Sequence, residues 1–456
     1  MTEQKQSIHG VWGSRWTFIL AATGSAVGLG NIWKFPYITG ENGGGAFVLV
    51  YLLCIALVGI PIMMAEVLLG RQGRQSPINT MRELVRETGA HKSWQLLGWV
   101  GVIVGFLILT YYSVIAGWSL NYIYEMGVGT FNGKDGVQVG RVFEELLASP
   151  QKLLFWHSLF MVLVTVIVAQ GVIKGLEKAV RILMPLLFLL LILLVGYAFS
   201  TDSFGQGFTF LFNVDFSKMS WAAALTALGH AFFTLSLGMG AIMVYGSYMP
   251  KNASIGGTVL MVAALDTLVA LVAGLAIFPI VFSNGLEPGA GPGLMFITLP
   301  HAFGNMDFGQ LFGTLFFVLV AFAALSSGIS IIEPAVAWVV ERFKVNRGLA
   351  TVMLCFLAWF VGLGTVFSFN LWAEFKFGGF TFFDGLDFLT ANIMLPLSGF
   401  FIALYVGWVL SQRRVAGELA LQSAGLYSLW YFVLRFLAPL AVLVVFAVPL
   451  YERFVG

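Results

Sequence analysis

The sequence predicts an all-α membrane protein with about eleven transmembrane helices. Of its 456 residues, 59% are hydrophobic and only 10% are charged, whereas a soluble protein carries roughly 25% charged residues. So few charges cannot cover a surface that faces water, and most of the outer surface must therefore face lipid. The apolar runs have the length of about 20 residues that a spanning helix needs, and they lack the alternating polarity of a barrel strand.

Eleven apolar segments are bounded by polar connections, and we number them spans 1 to 11. The predicted spans cover about residues 17–38, 46–69, 96–125, 153–170, 179–199, 221–247, 256–283, 308–340, 349–369, 386–410 and 428–450. We expect one transporter domain over residues 1–456. It would contain a 5+5 inverted repeat, about 17–199 and 221–410, plus an extra C-terminal helix at about 428–450.

The basic residues of the connections predict the orientation. With the N-terminus in the cytoplasm, sixteen of the 24 Lys and Arg residues lie in inner connections, six in outer ones and two within spans. The positive-inside rule favours this orientation, and an odd number of spans then puts the C-terminus outside. The first sixteen residues lack the apolar core and cleavage site of a secretory signal, so we expect the inner (plasma) membrane as the location. The formal charge of +2 does not indicate a nucleic-acid partner.

Spans 1 and 6 each contain a Gly-x-Gly pair, at Gly28 and Gly30 and at Gly238 and Gly240. Unwinding a helix in lipid leaves backbone polar groups unpaired, so a break is tolerated only where polar groups fill it. Freed carbonyls suit a small hard cation, and the N-terminus of a half-helix suits a carboxylate. Matched breaks in two halves predict a transporter site. For one such span alone, close packing of small residues between helices would be the better interpretation.

At these residues the sequence resembles the neurotransmitter:sodium symporter family, and the resemblance covers nearly the whole chain. Its motifs are GSAVGLGNIWKFP at 24–36, ENGGGAF at 41–47, YY at 111–112, FFTLSLGMG at 232–240, GPGLMFITLP at 291–300 and ALSSGISIIEP at 324–334. The resemblance implies sodium-coupled symport of an amino acid across the lipid bilayer. Most animal members have twelve spans, whereas we expect eleven in this chain, as in some bacterial members.

The resemblance implies two sodium sites made of oxygen ligands, as a hard cation requires. The first would consist of the Ala26 carbonyl, Asn31, Thr234, Asp266 and the substrate carboxylate. The second would consist of the carbonyls of Gly24, Val27 and Ala323 and the hydroxyls of Ser326 and Ser327. The alternative for the two serines is a hydrogen bond back to their own helix.

The resemblance also implies a substrate pocket at the two breaks. The predicted substrate-binding residues are Ala26, Val27, Gly28, Leu29, Gly30, Ile108, Tyr112, Phe233, Thr234, Ser236, Met239, Ser327, Gly328 and Ile331. Tyr112 and the N–H groups near Leu29 and Gly30 would bind the substrate carboxylate, and Phe233 would close over it with Tyr112 as a lid. No member of the set is charged, so we expect a neutral hydrophobic L-amino acid, aromatic ones included.

Asp266 is an ionisable group in the middle of span 7, which makes it a functional residue by default. Many family members have asparagine here, and in them chloride or a glutamate one turn later balances the charge of the sodium ions. This chain has Ala270 at that later position. We therefore expect Asp266 to supply that charge and transport not to require chloride. The alternative is a protonated Asp266 within the core. His230 replaces a glutamine of the family. It is either a packed core histidine, or a group that makes transport pH-sensitive or takes part in proton counter-transport with Asp266.

The resemblance places a gate at each end of the bundle. Lys34, where the family has arginine, would pair with Asp387 at the outer gate, although a lysine cannot form the two-pronged contact of a guanidinium. His9, Trp12 and Glu341 match the inner gate.

Two other classes of function are weaker interpretations. A channel would need a continuous polar path with charged rings, and an enzyme would need clustered catalytic side chains, whereas the five histidines are scattered. We therefore expect no enzymatic activity and no cofactor except Na⁺. The alternative function is that of a non-transporting amino-acid sensor of the same fold. The sequence does not specify the oligomeric state.

Overall fold

The computed structural model describes residues 12–288, 293–421 and 423–454, and within them all regular structure is helical. Nine helices in this part of the chain are long and apolar enough to cross a membrane. In order they are spans 2 to 5, Gly45–Gly73, Lys92–Gly127, Pro150–Ala169 and Val172–Phe199, and spans 7 to 11, Ile255–Ser283, Gly309–Phe343, Arg347–Ser368, Phe382–Val409 and Ala424–Val444. The helix of span 11 continues to Phe454.

Spans 1 and 6 are interrupted, as the glycine pairs predict. The helical pieces are Arg15–Ala26, Gly30–Lys34 and Phe35–Glu41 in span 1, and Trp221–Thr234 and Ala241–Ser247 in span 6. Gly238 and Gly240 have φ values of 80° and 78°, a left-handed conformation that glycine adopts without a steric penalty. With these two broken helices, the described part of the chain contains eleven spans.

Glu66 of span 2 supports the break in span 6. Its side chain is fully buried, and its Oε1 accepts a hydrogen bond from the Gly238 N–H at 2.5 Å. A buried N–H without a partner would cost about 1–3 kcal/mol, so this carboxylate stabilises the unwound segment.

Spans 3 and 8 form the centre of the bundle. The most apolar stretches of spans 3 and 8 are 78% and 83% buried inside the protein. Those of spans 4, 5 and 11 are 28–33% buried, which leaves broad apolar faces for lipid. Span 8 packs along span 3 and also against the first half of span 1. The first half of span 1 and the second half of span 6 therefore both lie against span 8, one of the two most buried helices.

The two ends of the bundle carry different connecting helices. We call the end that holds Trp12 and Glu341 the Trp12 end, and the opposite end the Lys34 end. The connecting helices are Pro77–Thr88 and Gln412–Leu419 at the Trp12 end, and Gly136–Ala148, Phe204–Phe212 and Leu294–Gly304 at the Lys34 end. The last of these lies in the connection between spans 7 and 8.

Candidate functional site

A buried polar cluster joins the break of span 1 to spans 6 and 7. Asn31 donates from Nδ2 to the Asp266 carboxylate at 2.7 Å and to the Asp266 backbone carbonyl at 3.0 Å. The Thr234 hydroxyl donates to both carboxylate oxygens at 3.1 Å. Asp266 is 0% exposed, and these hydrogen-bond partners are neutral. A buried carboxylate whose hydrogen-bond donors are all neutral favours a nearby cation. The oxygen atoms of this cluster are suitable ligands for a hard cation such as sodium.

A second polar cluster joins span 8 to the same break. The Ser327 Oγ lies 3.5, 3.2 and 3.4 Å from the carbonyl oxygens of Gly24, Ser25 and Val27. Ser326 instead donates to the Ala323 carbonyl of its own helix at 3.0 Å. The alternative of a hydrogen bond back to the same helix therefore holds for Ser326 in this structure, whereas the Ser327 side chain reaches across to span 1. The carbonyl and hydroxyl oxygens of this cluster are again suitable ligands for a hard cation.

A small cavity of about 20 Å³ lies between the two breaks. Its lining is Ser25, Ala26, Gly28, Leu29, Gly30, Ile108, Tyr112, Phe233, Ser236, Met239, Ser327 and Ile331. None of these residues is charged. A space of this size holds about one water molecule, so an amino acid fits only after the lining side chains move apart.

Three residues of the predicted substrate set do not line this cavity. Val27 and Thr234 belong to the polar clusters beside it. Gly328 faces span 4, because a Cβ built on it would lie 3.1 Å from the Phe160 ring and 3.2 Å from Val164. The missing side chain of Gly328 therefore makes room for Phe160 and adds no space to the cavity.

Ser25 lines the cavity although the sequence interpretation did not select it. Its carbonyl accepts a hydrogen bond from the Ser236 hydroxyl at 2.9 Å, which ties the two breaks together. Ser236 has φ 53°, an uncommon conformation for a residue with a side chain, and such strain clusters at ligand sites. The position of Ser25 between Gly24 and Ala26, directly before the first break, was the signal that could have found it.

The glycines of span 1 allow three other spans to approach closely. A Cβ on Gly28 would lie 2.4 Å from the Ser327 Oγ and 3.2 Å from the Tyr112 hydroxyl. A Cβ on Gly30 would lie 3.3 Å from the Phe233 ring. Any larger residue at Gly28 would therefore displace the Ser327 hydroxyl and crowd the Tyr112 hydroxyl at the break.

The predicted outer gate has a different arrangement in this structure. Lys34 and Asp387 both line a cavity of about 290 Å³ on the Lys34 side of Phe233, but no ion pair within 4.0 Å joins these two described residues. The Lys34 ammonium lies over the Phe233 ring instead, 4.8 Å from its centroid. An ammonium is attracted to the face of an aromatic ring, so Lys34 contacts the predicted lid directly.

The predicted inner gate residues are held by separate partners. Trp12 is 2% exposed, and it donates from its backbone N–H to the Tyr248 carbonyl at 3.0 Å and from Nε1 to the Tyr245 carbonyl at 3.4 Å. Glu341 accepts from the Ser76 N–H and from Asn79 Nδ2, both at 2.7 Å. The third predicted member, His9, lies outside the described residues.

A buried ion pair at the Trp12 end was not predicted from the sequence. Arg347 forms a two-pronged contact with Glu333, with nitrogen–oxygen distances of 3.0 and 2.5 Å, and the Tyr248 hydroxyl donates to Glu333 at 2.7 Å. Arg347 also donates to the Val168 carbonyl at 3.0 Å. The pair therefore links spans 4, 6, 8 and 9. The signal was an acidic residue inside span 8, but the sequence does not name its partner.

His230 lies within an aromatic cluster. It is 2% exposed, and its ring centroid is 6.1 Å from that of Phe35 and 5.4 Å from that of Tyr51. Neither ring nitrogen has a hydrogen-bond partner among the described residues. These surroundings agree with the packing interpretation of His230.

Comparison with known proteins gives consistent matches along the chain. The sequence model of the sodium:neurotransmitter symporter family matches residues 9–130 and 147–453. The chain is 38% identical to the uncharacterized sodium-dependent transporter YhdH of Bacillus subtilis, covering 98% of each protein. It is 33% identical to an uncharacterized sodium-dependent transporter of Haemophilus influenzae, covering 95% of this chain and 97% of that protein.

A solved structure shows the same fold. The crystal structure of MhsT in complex with L-phenylalanine matches with a TM-score of 0.89 and 44% identity, covering 96% of this chain and 99% of MhsT. This match confirms the predicted fold class. The chain therefore belongs to the sodium:neurotransmitter symporter family, and it is a sodium-dependent membrane transporter and not an enzyme.

Proposed function

We propose that this transporter couples sodium to the uptake of a neutral hydrophobic L-amino acid, aromatic ones included. The observation that carries the proposal is the uncharged lining of the cavity, in which Ile108, Met239 and Ile331 supply the apolar wall. A charged substrate side chain would lose its hydration there without gaining a partner. The L-phenylalanine bound to MhsT, which is 44% identical, supports the same substrate class.

In this proposal, groups at the two helix breaks bind the carboxylate and the ammonium group of the substrate. The Tyr112 hydroxyl and the N–H groups of Leu29 and Gly30 bind the carboxylate. The ammonium group is bound by the carbonyls of Ala26, Phe233 and Thr234, next to Ser236. Helix breaks can bind both charges because an unwound segment frees backbone N–H groups as well as carbonyls.

We propose that two sodium ions are carried with the substrate. One is bound by Ala26, Asn31, Thr234 and Asp266, which surround the first polar cluster. The other is bound by Gly24, Val27, Ala323, Ser326 and Ser327. Because the substrate carboxylate completes the first site, sodium and amino acid each raise the affinity of the site for the other.

We further propose that chloride is not required. Ala270 lies one turn after Asp266 in span 7, is fully buried and has no group that binds an anion. The Asp266 carboxylate supplies a negative charge directly beside the proposed sodium ion, so no external anion is needed for balance.

The proposed cycle is alternating access in the plasma membrane, with the N-terminus in the cytoplasm and the C-terminus outside. Sodium binding favours opening at the Lys34 end, and substrate binding closes Phe233 over the site. Spans 1, 2, 6 and 7 then rock against the rest, and the contacts of Trp12 at the other end release.

Purified protein and proteoliposomes test this proposal. We expect L-phenylalanine and L-leucine to raise the melting temperature in sodium but not in potassium, and L-lysine and L-glutamate to have no effect. Exchange of labelled substrate in proteoliposomes should persist when gluconate replaces chloride. Sodium-dependent binding without any exchange would instead identify a sensor, and loss of exchange without chloride would overturn the charge assignment to Asp266.

A further inference from the structure

A large cavity at the Trp12 end is separate from the substrate site. It measures about 820 Å³ and lies between the connecting helix Pro77–Thr88, the start of span 3 and the end of span 8. Five of its lining side chains are basic and exposed: Arg82, Arg86, Lys92, Arg342 and Lys344. Because they come from three different elements, the fold itself gathers these charges around one space.

The two acidic residues that line the cavity offset only part of the charge of its five basic residues. Glu341 is occupied by hydrogen bonds from Ser76 and Asn79. Glu83 accepts from Gln75 at 2.7 Å and lies 3.9 Å from Arg86. No ion pair found among the described residues includes Arg82, Lys92, Arg342 or Lys344. The cavity therefore presents a net positive field to an incoming group.

Apolar and aromatic side chains beside the cavity place it at the surface of the membrane. Leu96 follows Lys92 by one helical turn and is 62% exposed, and Phe343 directly follows Arg342 and is 59% exposed. Trp99 and Trp338 pack together nearby, with ring centroids 4.8 Å apart. Exposed apolar groups, tryptophans and basic residues occur together where the lipid headgroups meet the hydrocarbon.

We propose that this cavity binds the phosphate headgroup of an anionic phospholipid, whose acyl chains lie along the exposed apolar residues of spans 3 and 8. Guanidinium and ammonium groups are the side chains that bind phosphate oxygens best, and basic pockets at this level of a membrane protein recognise anionic headgroups. A zwitterionic lipid gains less, because its own cation is repelled by the same field. The site is independent of the proposed substrate and sodium sites.

Native mass spectrometry of the full chain in detergent tests the proposal. The protein is incubated with equal amounts of phosphatidylglycerol and phosphatidylcholine that have identical acyl chains. We expect wild type to retain phosphatidylglycerol preferentially. The Arg82→Gln/Arg86→Gln/Lys92→Gln variant should retain about tenfold less phosphatidylglycerol than wild type. The matched control is Lys174→Gln/Lys178→Gln/Lys251→Gln, which removes the same charge from exposed residues at the same end but outside the cavity. It should retain the lipid.

Further arms separate the possible outcomes. Equal losses in the variant and the control would mean that total charge alone attracts the lipid, which would overturn the proposal. Displacement of phosphatidylglycerol by millimolar inorganic phosphate would also overturn it, because the site would then bind a small anion. Melting temperatures check that each variant is folded. If the first variant fails to fold, Arg342→Gln/Lys344→Gln on the opposite wall should show the same loss.

Discussion

At the scale of single residues, Asp266 carries the charge on which the proposed coupling depends. It is the carboxylate of the polar cluster that Asn31 and Thr234 complete, and it is fully buried. A charge in such a place is costly unless a cation balances it. The sodium dependence of the protein should therefore be most sensitive to this one side chain.

We predict that Asp266→Asn raises the sodium concentration needed for half-maximal amino-acid binding by about tenfold or more, because a contact with a charged group contributes about 1.5–3 kcal/mol. A sodium titration of substrate-induced melting shifts measures it. Ser330→Ala is the control, since Ser330 is not one of the proposed sodium ligands and its hydroxyl donates to the Ser327 carbonyl of its own helix at 2.7 Å. An unchanged half-saturating sodium concentration in Asp266→Asn would contradict the assignment.

A second residue-scale prediction concerns Gly28. In Gly28→Ala the new methyl group would lie 2.4 Å from the Ser327 Oγ, so the Ser327 hydroxyl must leave its position beside the carbonyls of span 1. We expect substrate binding to be lost and stability to fall by about 1–3 kcal/mol, the usual effect of overpacking. Gly229→Ala is the control, because a Cβ there meets no atom within 4 Å. Binding by isothermal titration should be lost in the first variant and kept in the second.

At the scale of helices, local signals predicted the architecture well. Long apolar runs gave the spans, and glycine pairs gave both breaks, because hydropathy and backbone freedom depend on neighbouring residues alone. The direction of a side chain on a long helix was harder. Ser327 and Ile331 are four residues apart and share the cavity face, whereas Gly328 is rotated by about 100° and meets Phe160.

Partners that are distant in the sequence were not predictable. Glu333 and Arg347 lie on two different spans, and only the packing of spans 8 and 9 shows that they pair. Lys34 and Asp387 were matched by resemblance, but a lysine ammonium has an alternative partner in the nearby Phe233 ring. Such choices depend on competing contacts in three dimensions, which a single sequence does not reveal.

The ion pair between spans 8 and 9 gives the prediction at this scale. Arg347→Met leaves the Glu333 carboxylate buried without its partner, and we expect a loss of about 3–5 kcal/mol in stability. The double variant Glu333→Met/Arg347→Met removes both charges and should recover most of that loss. Melting temperatures of the two variants and wild type decide this. A double variant as unstable as Arg347→Met would show that the pair itself is not the cause.

At the scale of the whole molecule, the small cavity is closed differently toward the two ends. Leu29, Tyr112 and Phe233 line both the 20 Å³ cavity and the 290 Å³ cavity on its Lys34 side, so a single layer of side chains separates the two spaces. Toward the other end, Trp12 packs on Tyr248, which in turn contacts the buried ion pair. Opening at the Lys34 end thus requires this one layer of side chains to move apart.

The last prediction concerns the orientation of the whole bundle. Val137 is 67% exposed in the connection between spans 3 and 4, and Arg413 is exposed in the connection between spans 10 and 11. The excess of basic residues on one side predicts that Val137 faces the outside of the cell and Arg413 the cytoplasm. In a Cys54→Ala/Cys355→Ala background, Val137→Cys should react with a membrane-impermeant maleimide on intact cells. Arg413→Cys should react only after permeabilisation, and the reverse pattern would require the cytoplasmic side to lie at the Lys34 end.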